Sequence, residues 1–207
     1  MTGMIRLEVL RQDSPQATPY WQKFALPHEP NLNVIAVLMK LRELARDADG
    51  KAVAPVAWDA ACLDEICGAC SMVINGKPRQ ACSALIDSLK QPIRLQPLSK
   101  FPVVRDLVVD RSSMFEARKR FKTWVVFDGT DKAGPGPKVK PELQEKLYKF
   151  SRCFSCGLCL EVCPEIRPNH PFVGPEALAA AHYFNEQPLG KLLKDDRTKE
   201  AAKKDGI

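Results

Sequence analysis

The sequence is poor in the residues that do acid–base chemistry. Histidine occurs three times, at His28, His170 and His182, and the three are scattered along the chain. Aromatic residues make up only 7% of it, so a large aromatic core is not expected. Long apolar runs are missing as well. The longest, Leu32 to Met39, is broken by Asn33 and falls far short of the ~20 residues that a membrane-spanning helix needs. The first stretch, MTGMIRLEVLRQD, carries charges where a secretory signal has its apolar core, which predicts a chain that stays in the cytoplasm. No repeat of solenoid period is present.

What is there points to a globular protein. With 207 residues, 45% hydrophobic and 27% charged, two compact units are the natural expectation. Seventeen prolines predict irregular stretches between short elements. The net charge of +6 is uneven: residues 1–99 carry 11 basic and 10 acidic side chains, residues 100–207 carry 20 and 15. Basic and acidic residues are mixed throughout, which favours a solvated surface over a nucleic-acid patch. Eight cysteines remain to be explained. Structural disulfides are rare in the cytoplasm, so metal ligation or redox chemistry is the better reading.

The pattern of elements changes along the chain. Ile5 to Arg11 alternates as a half-buried strand does, and Tyr20 to Leu26 reads as a second strand. A helix capped by Asn33 places Ile35, Leu38, Leu41 and Leu44 on one face, with its end expected between Asp47 and Gly50. Met72 to Ile74 runs into Asn75-Gly76, a hairpin signal, and a short alternation follows within Gln91 to Leu98. The second half predicts helices over Ser112 to Lys122, from Pro141 to Arg152, from Pro175 to Asn185, and in the charged stretch Lys191 to Lys204. Thr130 to Lys140 reads as a loop rich in Pro and Gly. The domain boundary is expected near residue 105.

All eight cysteines fall into two groups. Cys62, Cys67, Cys70 and Cys82 follow C-x4-C-x2-C with eleven residues before the last, the plant-type ferredoxin spacing for a [2Fe–2S] cluster. Two irons bridged by two sulfides need two thiolates each, which a tight loop and a later strand can supply. Gly68 allows close backbone approach. N–H groups directed at sulfur would raise the reduction potential, whereas Asp64 and Glu65 would lower it. Four thiolates can also bind zinc, but zinc sites usually pair two short knuckles and only one short pair is present here. The second group, Cys153, Cys156, Cys159 and Cys163 followed by Pro164, reads C-x2-C-x2-C-x3-C-P, the bacterial ferredoxin run. In that run the first three cysteines hold corners of a [4Fe–4S] cube and the fourth serves another cluster. A cube and a [3Fe–4S] cluster together then lack three cysteines in this chain. A single cube held by all four is the alternative.

At these residues the chain resembles the iron–sulfur subunits of succinate dehydrogenase and fumarate reductase. The resemblance runs through CLDEICGACSMVINGKPRQAC (Cys62 to Cys82), PVVRDLVVDRSSMFEARKR (Pro102 to Arg120), the run from Cys153, and FVGPEALAAAHYFNE (Phe172 to Glu186). Some relatives have aspartate as the third ligand of the first cluster, where this chain keeps Cys70. The resemblance implies an α+β chain: an N-terminal β-grasp, plant-type ferredoxin-like domain over 1–105, then an all-α bacterial ferredoxin-like domain over 106–207, incomplete at its C-terminus. It implies [2Fe–2S], [4Fe–4S] and [3Fe–4S] clusters bound by the eight cysteines and others beyond Ile207, so that a truncated sequence is expected rather than a split subunit. It also implies two partners, a flavoprotein subunit containing FAD and a membrane-anchor cytochrome b with quinone. The place implied is peripheral, on the cytoplasmic face of the inner (plasma) membrane, in respiration and the tricarboxylic acid cycle. Many relatives carry a tryptophan shortly after the equivalent of Pro164. This chain has Glu165, Ile166, Arg167, Pro168, Asn169 and His170 there, closer to relatives with a single-polypeptide, two-haem anchor and menaquinone. Pro164 is expected near the quinone approach, and His170 reads as a surface-loop histidine.

The role expected is a one-electron relay without bond-making on succinate, so no residue is a candidate catalytic group. The basic second half, including Arg118, Lys119 and Arg120, suggests docking to the anchor and to anionic lipid. Two rivals stay open: an electron-transfer subunit of another flavoprotein, and a zinc-binding interaction module.

Overall fold

The computed structural model describes residues 3–126, 137–167 and 172–203. Residues 130–136 of the predicted loop, with Pro168, Asn169 and His170, lie outside them. The chain divides into two compact units, Met1–Arg111 and Ser112–Ile207, a few residues later than the expected boundary.

The first unit is built on a five-stranded sheet in the order β2-β1-β5-β3-β4. Strand β1 (Met4–Arg11) pairs antiparallel with β2 (Tyr20–Pro27) over their full length. It pairs parallel with β5 (Ile93–Gln96), which is antiparallel to β3 (Ser71–Ile74); β3 is antiparallel to β4 (Lys77–Gln80). Parallel neighbours need a long crossover, and the chain between β1 and β5 contains helix α1 (Val34–Leu44). Alternation in β1 puts Ile5, Leu7 and Val9 into one buried cluster with Val34, Val37 and Leu38 of α1. Burying each such side chain contributes roughly 1.5–3 kcal/mol.

Asn33 caps α1 as expected, its side chain accepting from the Ala36 N–H at 2.8 Å. The helix ends earlier than Gly50. Ala45 takes a left-handed conformation (φ 48°) and its N–H closes on the Leu41 carbonyl. Gly50 (φ 80°) instead closes a tight turn back to Asp47. Asn75 (φ 50°) and Gly76 (φ 77°) form the hairpin turn that their dipeptide predicted.

A small hairpin of β6 (Val103–Arg105) and β7 (Val108–Val109) was not expected from the sequence. It carries Asp106, which is fully buried against Arg11. Asp106 accepts from Arg11 Nε at 2.8 Å and from the backbone N–H groups of Gln12 and Ala57. The Arg11 guanidinium also reaches Gln22 and the carbonyls of Ala54 and Pro55. This pair fixes the segment that leads into the first cysteine loop.

The second unit is helical. Helix α5 (Pro175–Glu186) packs on α2 (Ser112–Arg120), α3 (Pro141–Ser151), α4 (Leu158–Val162) and α6 (Lys194–Ala201). Ala117, Phe121, Ala177 and Ala181 form a core there. Proline stands at the first turn of α3 and α5, as expected. The predicted helix over Lys191 to Lys204 divides: a 3-10 segment (Pro188–Leu193) precedes α6. Arg197, buried on α6, donates to the carbonyls of Lys122, Trp124 and Gly190. Among the described residues no helix is long and apolar enough to cross a membrane.

Candidate iron–sulfur centres

Local folding brings the first group together. Cys62 and Cys67 lie on the loop between α1 and β3, Cys70 directly precedes β3, and Cys82 sits in a 3-10 turn (Ala81–Ser83) after β4. Ser71 pairs with Gln80 in the β3–β4 ladder, and the Ala81 N–H bonds the Cys70 carbonyl at 3.1 Å. The hairpin register therefore sets Cys70 opposite Ala81, and Cys82 follows Ala81 in the turn, where its thiol meets that of Cys70.

The loop wraps its own sulfurs. Leu63, Glu65 and Gly68 all take positive φ (62°, 56° and 73°), a conformation that costs roughly 1–2 kcal/mol for each non-glycine residue. That curvature aims backbone N–H groups inward. Asp64, Ile66 and Cys67 each donate to Cys62 Sγ at 3.3 Å. Cys62 and Ala69 donate to Cys67 Sγ at 3.5 and 3.4 Å. Outer contacts hold the loop: the Gly68 carbonyl accepts from Ser71 Oγ and Arg111 Nη1, both at 2.8 Å, and Glu65 accepts from the Ser83 hydroxyl. Asn33 Nδ2 donates to the Cys82 carbonyl at 2.8 Å.

These contacts set the sulfur chemistry. Backbone N–H groups, those of Asp64 and Ile66 foremost, lower the Cys62 thiol to about 7. Burial pushes Cys82 up to about 11, opposed by the Glu65 N–H and reinforced by the neighbouring Cys70 and Cys62 sulfurs. The Cys62 thiol thus ionises readily, whereas that of Cys82 ionises near neutral pH only beside a cation. Four mutually interacting sulfurs and a lining of N–H donors fit an iron–sulfur group.

The second group lies on α4 and the turns around it. Gly157 (φ 85°) starts α4, Cys159 lies within it, and Cys163 closes it. Cys153 and Cys156 flank a turn in which Ser155 is left-handed at φ 56°. Ser155 Oγ, buried, donates to Glu176 Oε1 at 2.9 Å and accepts from Arg118 Nη1 at 2.8 Å. Glu176 also accepts from the Cys153 thiol at 4.0 Å and faces Arg118 at 3.6 Å. Burial raises the Glu176 carboxyl, while Ser155 and Arg118 pull it back. Cys159 is pushed up to about 11, chiefly by desolvation and then by Cys156, Cys153 and Glu176. Sulfurs that would repel one another as bare thiolates suit a site where iron supplies the balancing charge. Arg118 is therefore turned to Ser155 and Glu176, Lys119 pairs with Glu116, and Arg120 with Glu200, so this basic triplet is engaged within its own unit.

Among the described residues no group of three or more His, Cys, Asp or Glu side chains is arranged to hold a single metal ion. The sequence singled out the cysteines but not the residues that the structure sets against them. Glu176 had a weak signal, an acid in the first turn after Pro175. Gln80 and Ser155 had none, and Asn33 and Arg118 were read only as a helix cap and a basic surface residue, because the contacts they make at the cysteine segments come from chain crossings.

Comparison with known proteins bears on both groups. A family described as a 2Fe-2S iron-sulfur cluster binding domain matches residues 6–116. The succinate dehydrogenase iron-sulfur subunit of Bacillus subtilis is 49% identical over 193 residues, spanning 93% of this chain and 76% of the relative. This chain belongs to the succinate dehydrogenase and fumarate reductase iron–sulfur subunit family. The fumarate reductase iron-sulfur subunit of Haemophilus influenzae is 29% identical, covering 88% of this chain and 73% of that one. A structure of the Mycobacterium smegmatis Sdh1 complex in the apo form has the same fold, at a TM-score of 0.76 and 23% identity, over 95% of this chain and 82% of that one. Membership sets aside the zinc-module reading. It agrees with the mixed sheet and helices of the structure and with a [2Fe–2S] ferredoxin-like region around Cys62 to Cys82.

Proposed function

We propose that this chain is the electron-relay subunit of a succinate:quinone oxidoreductase, standing between an FAD-containing flavoprotein and a quinone-binding membrane anchor. The observation that carries the reading is the first cysteine loop, whose backbone N–H groups are folded onto Cys62 and Cys67, in a chain 49% identical to a succinate dehydrogenase iron-sulfur subunit. The five-stranded sheet with α1 across it supports a β-grasp ferredoxin domain, and the helical second unit a bacterial ferredoxin-like one.

In this reading Cys62, Cys67, Cys70 and Cys82 hold the [2Fe–2S] cluster. Cys153, Cys156 and Cys159 hold three corners of the [4Fe–4S] cube, and Cys163 turns to the [3Fe–4S] cluster. When bound, the clusters supply one-electron carriers between a two-electron flavin and the quinone. The chain's own residues hold the sulfurs, direct N–H groups at them and exclude water from Cys70 and Cys82, without acid–base chemistry on succinate. The partner binding quinone is an anchor cytochrome b, with menaquinone the quinone favoured by the segment after Pro164. The chain attaches peripherally to the cytoplasmic face of the inner (plasma) membrane.

Anaerobic purification of the native complex tests this. Acid-labile sulfide, and cluster signals that appear when succinate is added through the flavoprotein, are expected. A complex whose clusters respond to dithionite but not to succinate would instead place the chain with another flavoprotein.

A further inference from the structure

Two buried side-chain atoms among the described residues have no hydrogen-bond partner, Gln80 Nε2 and Glu176 Oε2. Both belong to side chains set against a cysteine. The Gln80 case involves no titrating group of its own. Gln80 ends β4 and is 4% exposed. Its Oε1 accepts from the Cys70 thiol at 3.3 Å, and its amide nitrogen is buried with nothing to donate to.

That orientation suits a thiol and is wrong for an iron ligand. A cysteine bound to iron has no proton to give, and its sulfur becomes an acceptor. A carbonyl oxygen facing that sulfur would then be repelled. Oxygen and nitrogen of a side-chain amide are close to isosteric, so a half-turn about the terminal bond exchanges them in the same space. The turn points an N–H at the charged sulfur and gives the orphaned donor a partner, and such charge-assisted bonds are stronger than neutral ones.

We propose that Gln80 is a positioning residue of the first centre: its amide turns over when the site is loaded and donates Nε2–H to Cys70 Sγ, raising the reduction potential there. Hydrogen bonds to ligand sulfur favour the electron-richer reduced state. The backbone supplies N–H donors to Cys62 and Cys67, and Gln80 extends the same lining to Cys70 by a side chain. The inference rests on the reading of Cys70 as a ligand.

The test uses the assembled complex, prepared with glutamine labelled by 15N at the side-chain amide. Pulsed EPR of the reduced [2Fe–2S] signal should show a coupled amide nitrogen in the wild type and lose it in Gln80→Met. A redox titration, with signal intensity normalised to iron, should show a lower midpoint potential in Gln80→Met. A [2Fe–2S] signal without amide coupling in the wild type, or an unshifted potential in Gln80→Met, overturns the proposal and leaves the relay standing. Absence of any [2Fe–2S] signal in the wild type overturns the ligand reading itself. Should Gln80→Met fail to load, the wild-type coupling decides alone, because Gln80 is the glutamine set against Cys70.

Discussion

The two cysteine groups are held by different means. The first is wrapped by its own loop: among the described residues, the N–H groups on Cys62 and Cys67 come from within 62–69. The second is steadied from a distance, through Ser155 clasped by Arg118 and Glu176, which lie 37 and 21 residues away. A loop whose own backbone supplies its donors can keep its shape while its surroundings loosen. A turn held by side chains from α2 and α5 depends on how those helices pack. The sheet unit and the helical unit should therefore respond differently when their supports are removed.

The largest effect should come from Asp106, a long-range pin in the unit that carries the first group. Arg11 and Asp106 are 1% and 0% exposed, so removing the charge leaves a buried guanidinium without its counter-ion. Asp106→Asn keeps the shape and tolerates the left-handed backbone (φ 46°). It should lower the stability of the first unit by about 3–5 kcal/mol in denaturant unfolding. Hydrogen exchange then probes the comparison directly. The amides of 64–69 should lose protection only with the whole unit; earlier loss would show that the loop leans on the Arg11–Asp106 pair.

A smaller effect should follow in the second unit from Ser155. Ser155→Ala removes the hydroxyl shared by Arg118 and Glu176 and should cost about 1–3 kcal/mol. Ser155→Gly loses the same bonds but relieves the positive φ of 56°, which should return about 1 kcal/mol. Unfolding midpoints of the two variants check this. If both match the wild type, the clasp contributes nothing and the contrast between the groups collapses.

Legibility in the sequence followed the range of the interaction. Asn33, the Asn75-Gly76 turn and the prolines of α3 and α5 act within a few residues, and each forms what its local pattern predicts. The end of α1 did not, because Ala45 takes a left-handed conformation with no residue type to announce it. The β6–β7 hairpin was missed for a related reason: Asp106 bends there to meet Arg11, 95 residues away. Cysteine spacing was readable because each group is compact along the chain, within 62–82 and 153–163. The supports of those cysteines, Gln80 and Glu176 among them, are set by strand register and helix packing, which spacing does not encode.

The smallest effect concerns acid, and it compares the units through matched surface pairs. Asp87 in the first unit is held below the usual carboxylate range chiefly by the hydrogen bond from His28, with a second from the Asn31 N–H. Asp196 in the second unit is held below it by Lys122. A carboxyl with a depressed folded value binds fewer protons folded than unfolded. Its stabilisation is complete above the ordinary carboxylate value, about 4, and is lost as pH falls through the lower folded value. Both side chains are nearly half exposed, at 48% and 43%, so the contributions are small and salt should shrink them further. Asp87→Asn and Asp196→Asn should each flatten part of the fall in Tm on acidification and leave Tm near neutral pH slightly lower. Because the pairs are alike in exposure, the two flattenings should be similar. If Asp196→Asn alone changes the acid limb, the helical unit is the one that opens first in acid, and the long-range support of its cysteine turn gives the physical reason.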